Sequence, residues 1–388
     1  LSQLPGELIE NICENLFPMD IRNFRLSCKA LKEKSYHQFG VCFFGVSKFM
    51  ITRESLQTLI HISKNKTFGP CIKELQMCLV TFPQRRLDRI TGYSSRFHEE
   101  EEEEHYIPYA ERQRLKDLVE SNYDEYQRQI RNVKRERRRA YGKHMHAQHT
   151  LRKQSIDVTM LAEALRNLPS LESITINCRF DRSSLPWGCR KIRREIGMWP
   201  APAFTANKWP PRPWLQFHDS VRQHNLEYCT HGLAVALGAI LKSGIKLKGA
   251  LNVDGAPYTF VLPQKPDSRK VDKTPAKTLA HSQINDLKLA FADLKRLSIK
   301  AFEYQRNDHP LPGHEEPLNW LSTFAPLWPA VQDLSITGAG HPGETYIVKT
   351  LAKLGDHFPR LRRLKLSKTH FHVPDLITVF LSHINTLQ

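Results

Sequence analysis

The chain has 388 residues, of which 40% are apolar and 25% charged, with a formal net charge of +17. That length can bury a full core and exceeds the usual single domain, so two units or a repeat array is expected. No apolar run approaches the roughly 18 residues of a membrane span, which argues against a helical membrane protein and leaves no membrane partner expected. The opening residues mix Glu7, Glu10 and Glu14 with apolar ones, unlike the apolar core of a secretory signal. The start at Leu1 instead of Met leads us to expect a natural chain that extends further. Eight cysteines, at 13, 28, 42, 71, 78, 178, 189 and 229, form no C-x-x-C pair and several fall inside apolar patterns. A reducing compartment, cytoplasm and/or nucleus, is therefore expected.

The first segment, residues 6–16, places Leu8, Ile9, Ile12 and Leu16 at helical spacing. Pro5 suits the first turn and Pro18 stops the helix. Asp20 is placed to cap a second helical segment whose apolar residues are Ile21, Phe24, Leu26, Cys28 and Leu31. Residues 1–40 carry five basic and five acidic side chains, so this module is neutral. It is too small to be stable without a partner or a neighbouring domain.

From residue 41 onward one pattern recurs: IKELQM at Ile72, LESITI at Leu171, LKRLSI at Leu294, VQDLSI at Val331 and LRRLKL at Leu361. Apolar residues stand at its first, fourth and sixth positions, and Pro70, Pro169, Pro329 and Pro359 stand two residues before four of the five. Helical patterns precede it, as in MLAEALRNL (160–168) and YIVKTLAKLGDHF (346–358). The reading is a helix, a proline that ends it, then a short strand with alternate side chains inward. Such a unit cannot close its own core, so neighbours must stack. The last intervals are 37 and 30 residues and the earlier ones 99 and 123, so the array is irregular, and LKGALNV (247–253) is the expected hidden member. The C-terminal VPDLITVFLSHINTLQ reads as a helix and the start of another strand, as if the array were cut short.

Two insertions, about 84–152 and 178–228, interrupt the array. The first holds six consecutive glutamates (99–104), expected to be solvated, and then a long charged helix over 108–150. Residues 105–155 carry thirteen basic and six acidic side chains, and the run Arg131, Lys134, Arg135, Arg137, Arg138, Arg139 is the densest part. The second holds four Trp and six Pro between 186 and 214 and reads as an irregular loop.

The opening module resembles the F-box. Leu4-Pro5, Glu7, Leu8-Ile9, Ile12, Leu16, Asp20-Ile21, Phe24 and the Arg25-Leu26-Ser27-Cys28-Lys29 run follow that family's order and spacing, with Leu31 where an aromatic often stands. The array behind it is similar to the leucine-rich part of fungal-type F-box proteins. The resemblance implies a fold of α/β solenoid class: a small helical F-box (1–40), then an irregular leucine-rich-repeat-like array (41–388) with a long charged helical insertion. It also implies a non-catalytic substrate-recognition subunit of an SCF-type cullin–RING ubiquitin ligase. Such a subunit docks on the Skp adaptor, and through it on cullin and RING subunits, and presents a protein substrate that the sequence does not name. Leu4, Pro5, Leu8, Ile9, Ile12, Leu16, Ile21 and Leu26 would then bind the adaptor, although internal packing is the competing reading for each.

The Trp-Pro stretch offers a second recognition element. Arg190, Arg193, Arg194, Trp199, Trp209 and Trp214 could grip a substrate or an acidic or phosphorylated partner, or the tryptophans could simply tuck onto the array. The basic run reads first as a solvated helix face that the Glu99–Glu104 run could balance, and second as a localisation signal or nucleic-acid patch. The alternative function is accordingly a basic nucleic-acid-associated scaffold that uses the F-box outside a ligase. His144, His146 and His149 lack a second ligand pair at zinc spacing, so no metal is expected. No nucleophile elbow, phosphate loop or dinucleotide fingerprint occurs, so neither cofactor nor catalysis is expected.

Overall fold

The computed structural model describes residues 1–84, 87, 114, 117–178, 184–202, 218–256, 281–301, 319–338 and 346–388. Four short helices come first: α1 (Gly6–Glu14), α2 (Pro18–Ser27), α3 (Lys29–Lys34) and α4 (Tyr36–Phe44). Pro18 both interrupts the chain after α1 and occupies the first turn of α2, where its missing N–H has no intrahelical partner to lose. The second helix thus begins two residues ahead of Asp20. That side chain lies in the first turn, beside the positive end of the helix, and does not cap it as the sequence suggested.

The module has a small core of Ile9, Cys13 and Leu31, with Leu4, Ile12 and Phe24 packed against it. The chain passes onward through α4, whose Phe44 ring stacks on Phe68 at 4.6 Å. The Arg25 guanidinium lies 4.6 Å from the Tyr36 ring centre and 4.1 Å from that of Phe39. An aromatic seam therefore joins the helical module to the rest of the chain, with α4 running through residue 40.

Next comes an α/β region built on a parallel sheet. Its strands are β1 (Val46–Met50), β2 (Glu74–Cys78), β4 (Ser173–Asn177), β6 (Ala250–Ala256), β7 (Arg296–Ala301), β8 (Asp333–Thr337) and β9 (Arg363–Ser367), paired in that order. A helical layer connects them: α5 (Arg53–Ser63), α7 (Ile156–Arg166), α9 (His218–Ser243), α10 (His281–Ala290), α11 (Asn319–Phe324), α12 (Tyr346–Lys353) and α13 (Val373–Ser382). Within it α5 packs on α7, α7 on α9, α9 on α10, and α12 on both α11 and α13.

The register explains the recurring sequence. Leu75, Ile174, Leu251, Leu297, Leu334 and Leu364 stand side by side across the sheet, and so do Met77, Ile176, Val253, Ile299, Ile336 and Leu366. Most are buried in one continuous core, while the residues between them are half-buried or, at Lys365, exposed. Parallel sheets covered on both faces give unbroken apolar strands; alternation here reflects a sheet covered on one face.

Each strand begins with the same backbone device. The carbonyl of Gly45 accepts from the N–H groups of Lys73 and Glu74, that of Lys73 from Glu172 and Ser173, and that of Glu172 from Gly249 and Ala250. The carbonyls of Gly249, Lys295 and Gln332 continue the series, at 2.8–3.2 Å throughout. In LKGALNV one extra residue separates the first apolar position from the strand. A side chain at position 249 would place its Cβ 2.6 Å from the Glu172 carbonyl oxygen, so only glycine fits without a shift. Strand β1 escaped the sequence search because Ser47 takes the fourth position of the pattern; its hydroxyl is satisfied by the Phe44 carbonyl at 2.8 Å.

The six glutamates at 99–104 lie outside the described residues, while the long charged helix expected over 108–150 is present in the described part of that stretch. Most of the described part of the first insertion is a 31-residue helix, α6 (Tyr123–Lys153), capped by the Asn122 side chain, which accepts from the Glu125 N–H at 3.0 Å. The 178–228 segment is not wholly an irregular loop. It contains α8 (Cys189–Ile196), the two-residue strand β5 (Ala201–Pro202) and the start of α9. The prolines lie outside CRKIRREI, and Gly188 and Gly197, at φ +84° and +74°, bracket that helix. Strand β5 pairs antiparallel with β3 (Val80–Thr81). The two insertions meet in a second small core of Met50, Val80, Phe82, Tyr141, Cys189, Ile192, Ile196 and Met198.

The packing can be probed at two positions. Leu297→Ala should cost about 2–5 kcal/mol of stability, whereas Ser298→Ala on the open face should stay within about 0.5 kcal/mol; denaturant unfolding of both variants checks the alternation. His383 is buried, and burial lowers its pKa below the ordinary 6.5, against an opposing pull from Asp356. The unfolded chain takes up a proton that the folded chain resists, so this contribution is complete above that pH and is lost as pH falls through the folded pKa. The thermal midpoint should drop between pH 7.5 and 5.5, and His383→Gln should flatten that drop.

Candidate functional site

Three surfaces carry the candidate residues. On the helical module, α1 and α2 each present two faces. Ile9 and Ile21, expected at a partner surface, are 0% and 1% exposed and so belong to the module's interior; their contribution is packing. Leu4, Ile12 and Leu16 are half-buried. Leu8 (48%) and Leu26 (75%) stand in solvent, and Pro5 is exposed beside them in sequence. The sequence reading missed Phe17 (78% exposed) and Met19. Both flank Pro18 at the start of α2, outside the helical periodicity on which that reading relied. Large apolar residues this exposed on a neutral module make this face a candidate for partner contact. The Lys34 ammonium donates to the carbonyls of Ser2 and Leu4 at 2.9 and 2.6 Å and so ties the leading residues to α3.

The second surface is the open face of the sheet, which no sequence signal singled out because its residues occupy the unconstrained positions of the pattern. A shallow depression of about 600 Å³ lies over it, lined by residues of β2, β4 and β6–β9. One row of the register reads Glu74, Ser173, Ala250, Arg296, Asp333, Arg363, and the row two residues on reads Gln76, Thr175, Asn252, Ser298, Ser335, Lys365. Toward β2 the polar groups hold one another. Gln76 Nε2 and Thr175 Oγ1 donate to Glu74 Oε1 at 2.8 and 3.1 Å, and Asn252 Nδ2 donates to Thr175 Oγ1 at 3.0 Å. Toward β9 the face is cationic. Arg363 forms a two-pronged pair with Asp333 at 2.7 and 2.8 Å, and this carboxylate raises the guanidinium's pKa. Lys300 lies 3.3 Å from Asp254.

The third surface belongs to the insertions. Arg131, Arg135, Arg138 and Arg139 are exposed on α6, while Lys134 and Arg137 are half-buried. The Arg137 guanidinium sits against Gly197, so the helices carrying the two basic segments are neighbours. Arg190 and Arg194 are exposed on α8, and Lys191 bridges to Glu54 at 3.0 Å. Arg193 and Trp199 meet each other: the guanidinium lies 4.0 Å from the indole centre, and Trp199 packs on the second core. Trp209 and Trp214 lie outside the described residues.

His144 pairs with Glu195 at 2.7 Å and stacks on Phe82. Among the described residues no three His, Cys, Asp or Glu side chains are placed to share a metal ion. No helix of the described residues is long and apolar enough to cross a membrane. Inside the α/β region His231 Nε2 lies 2.7 Å from the fully buried Asp157, and the Cys178 and Cys229 sulfurs are 3.0 Å apart.

With this geometry in view, comparison with protein families finds that residues 1–36 match the F-box domain. A comparison with curated proteins finds no match. F-box domains occur typically in non-catalytic adaptors of ubiquitin ligases.

The insertion surface depends on α6 staying seated. The Tyr141 hydroxyl donates to the Pro83 carbonyl at 2.9 Å and Gln148 Nε2 to the Val80 carbonyl at 2.8 Å, both in buried surroundings. Tyr141→Phe should leave the Pro83 carbonyl unsatisfied and cost about 1–3 kcal/mol. Hydrogen exchange should show the loss concentrated in α6 and α8.

Proposed function

We propose that this protein is the substrate-recognition subunit of an SCF-type cullin–RING ubiquitin ligase, acting in the cytoplasm and/or nucleus. The observation that carries the reading is the F-box match over residues 1–36, in a module that leaves Leu8, Phe17, Met19 and Leu26 in solvent around a very small core. A helical face of this kind fits the apolar groove of a Skp adaptor, through which cullin and RING subunits are recruited. We read the α/β region as an irregular leucine-rich-repeat-like array that presents the substrate on the open face of its sheet, a surface that is polar and open along its length. The protein itself performs no bond chemistry in this reading. It raises the effective concentration of a substrate lysine near the ubiquitin carrier.

The test separates the two faces of the module. Leu8→Asp and Leu26→Asp replace exposed side chains and should weaken co-purification with the Skp adaptor at least 100-fold, with the helical circular dichroism unchanged. Ile9→Asp should instead unfold the module, since it places a charge in a sealed core. Failure of the unaltered protein to bind the adaptor overturns the proposal.

A further inference from the structure

We propose that the exposed arginine row of α6 is a binding surface for the phosphate backbone of a nucleic acid, a role beyond the ligase reading and independent of it. Residues 128–139 hold six Arg and one Lys against one acid, Glu136. An ordinary solvated helix face balances its charges with partners three or four residues away. This stretch does the opposite. Arg131, Lys134, Arg135, Arg137, Arg138 and Arg139 stand in repeated like-charge pairs at those spacings. Arg128 pairs with Glu125 and Arg135 donates to Asn132, but Arg131, Lys134, Arg138 and Arg139 have no acidic partner among the described residues.

The repulsion is held in place by the other half of the same helix. Tyr141, Gln148 and Leu151 are buried, which anchors α6 and fixes the arginines on a preformed helix. A polyanion would relieve the repulsion with little ordering cost. Two features favour phosphate over carboxylate as its charge. The cations are almost all guanidinium groups, whose forks match phosphate oxygens in pairs. The exposed row from Arg131 to Arg139 also recurs each turn along about 12 Å of helix, a length over which one strand of a duplex carries about four phosphates. Arg190 and Arg194 add exposed positive charge on the neighbouring α8.

The test uses the full chain, with fluorescence anisotropy against a labelled 20-base-pair DNA duplex and a single-stranded RNA of equal length. If four arginines neutralise phosphates, duplex affinity should fall about 100-fold between 50 and 200 mM salt. The variant R131Q/R135Q/R138Q/R139Q should bind at least 10-fold more weakly and lose most of that salt dependence. The variant R131K/R135K/R138K/R139K keeps the charge and controls for folding; it should retain the salt dependence while losing several-fold in affinity. The relative affinities of the two probes tell duplex from single strand. Absence of binding, or a glutamine variant that binds like the parent, overturns the proposal. So does a polyglutamate peptide that competes as well as the oligonucleotide at equal charge, since it would assign the row to an acidic protein.

Discussion

A sheet covered on only one face governs the rest of this molecule. Each strand buries alternate side chains under helices and leaves most of the others open, except at β1 and β2, where Met50 and Cys78 are buried on the second face as well, so no strand–helix unit completes a core by itself. The neighbour supplies what is missing, and the doubly used carbonyl ahead of each of the first six strands of the sheet sets the register in which the next one joins. A slip of one residue would turn Leu297 and Ile299 onto the open face and bury Arg296 and Ser298. The pattern is strict at its first, fourth and sixth positions for that reason and indifferent between them. The same close approach of backbones requires glycine at 249, where the spacing is one residue longer.

The freedom between the strict positions is what makes a surface possible. Glu74, Asn252, Arg296, Asp333 and Lys365 can vary without disturbing the core, since their side chains lie across the sheet from it. Polarity grades along that face from a self-satisfied cluster near Glu74 to a cationic end near Arg363 and Lys365. The insertions add a separate surface without entering the main core. They close on each other around Tyr141, Ile192 and Ile196, at the edge of the sheet where Met50 and Val80 are buried.

The helical module shows the complementary arrangement. Its interior is limited to a few side chains, so the burial that steadies it comes partly from the aromatic seam of Tyr36, Phe39, Phe44 and Phe68. Neighbouring residues of one helix are then divided between tasks, with Ile9 inward and Leu8 outward. Its neutral face and the cationic rows of α6 and α8 are on different parts of the fold, so docking by one need not depend on the charge of the other.

Local structure was legible along the chain. Periodicity of two placed β2, β4, β6, β7, β8 and β9, prolines marked the turns ahead of four of them, and the ordered residues of the first 36 positions identified the module. Tertiary packing settled what each apolar position meets. It turned Ile9 and Ile21 inward, admitted β1 despite Ser47, folded CRKIRREI into a helix between two glycines, and set Arg137 against Gly197 and Tyr141 against Pro83. A residue's need for burial is written in its neighbours along the chain. The surface that satisfies it belongs to residues tens of positions away, and only the folded chain brings the two together.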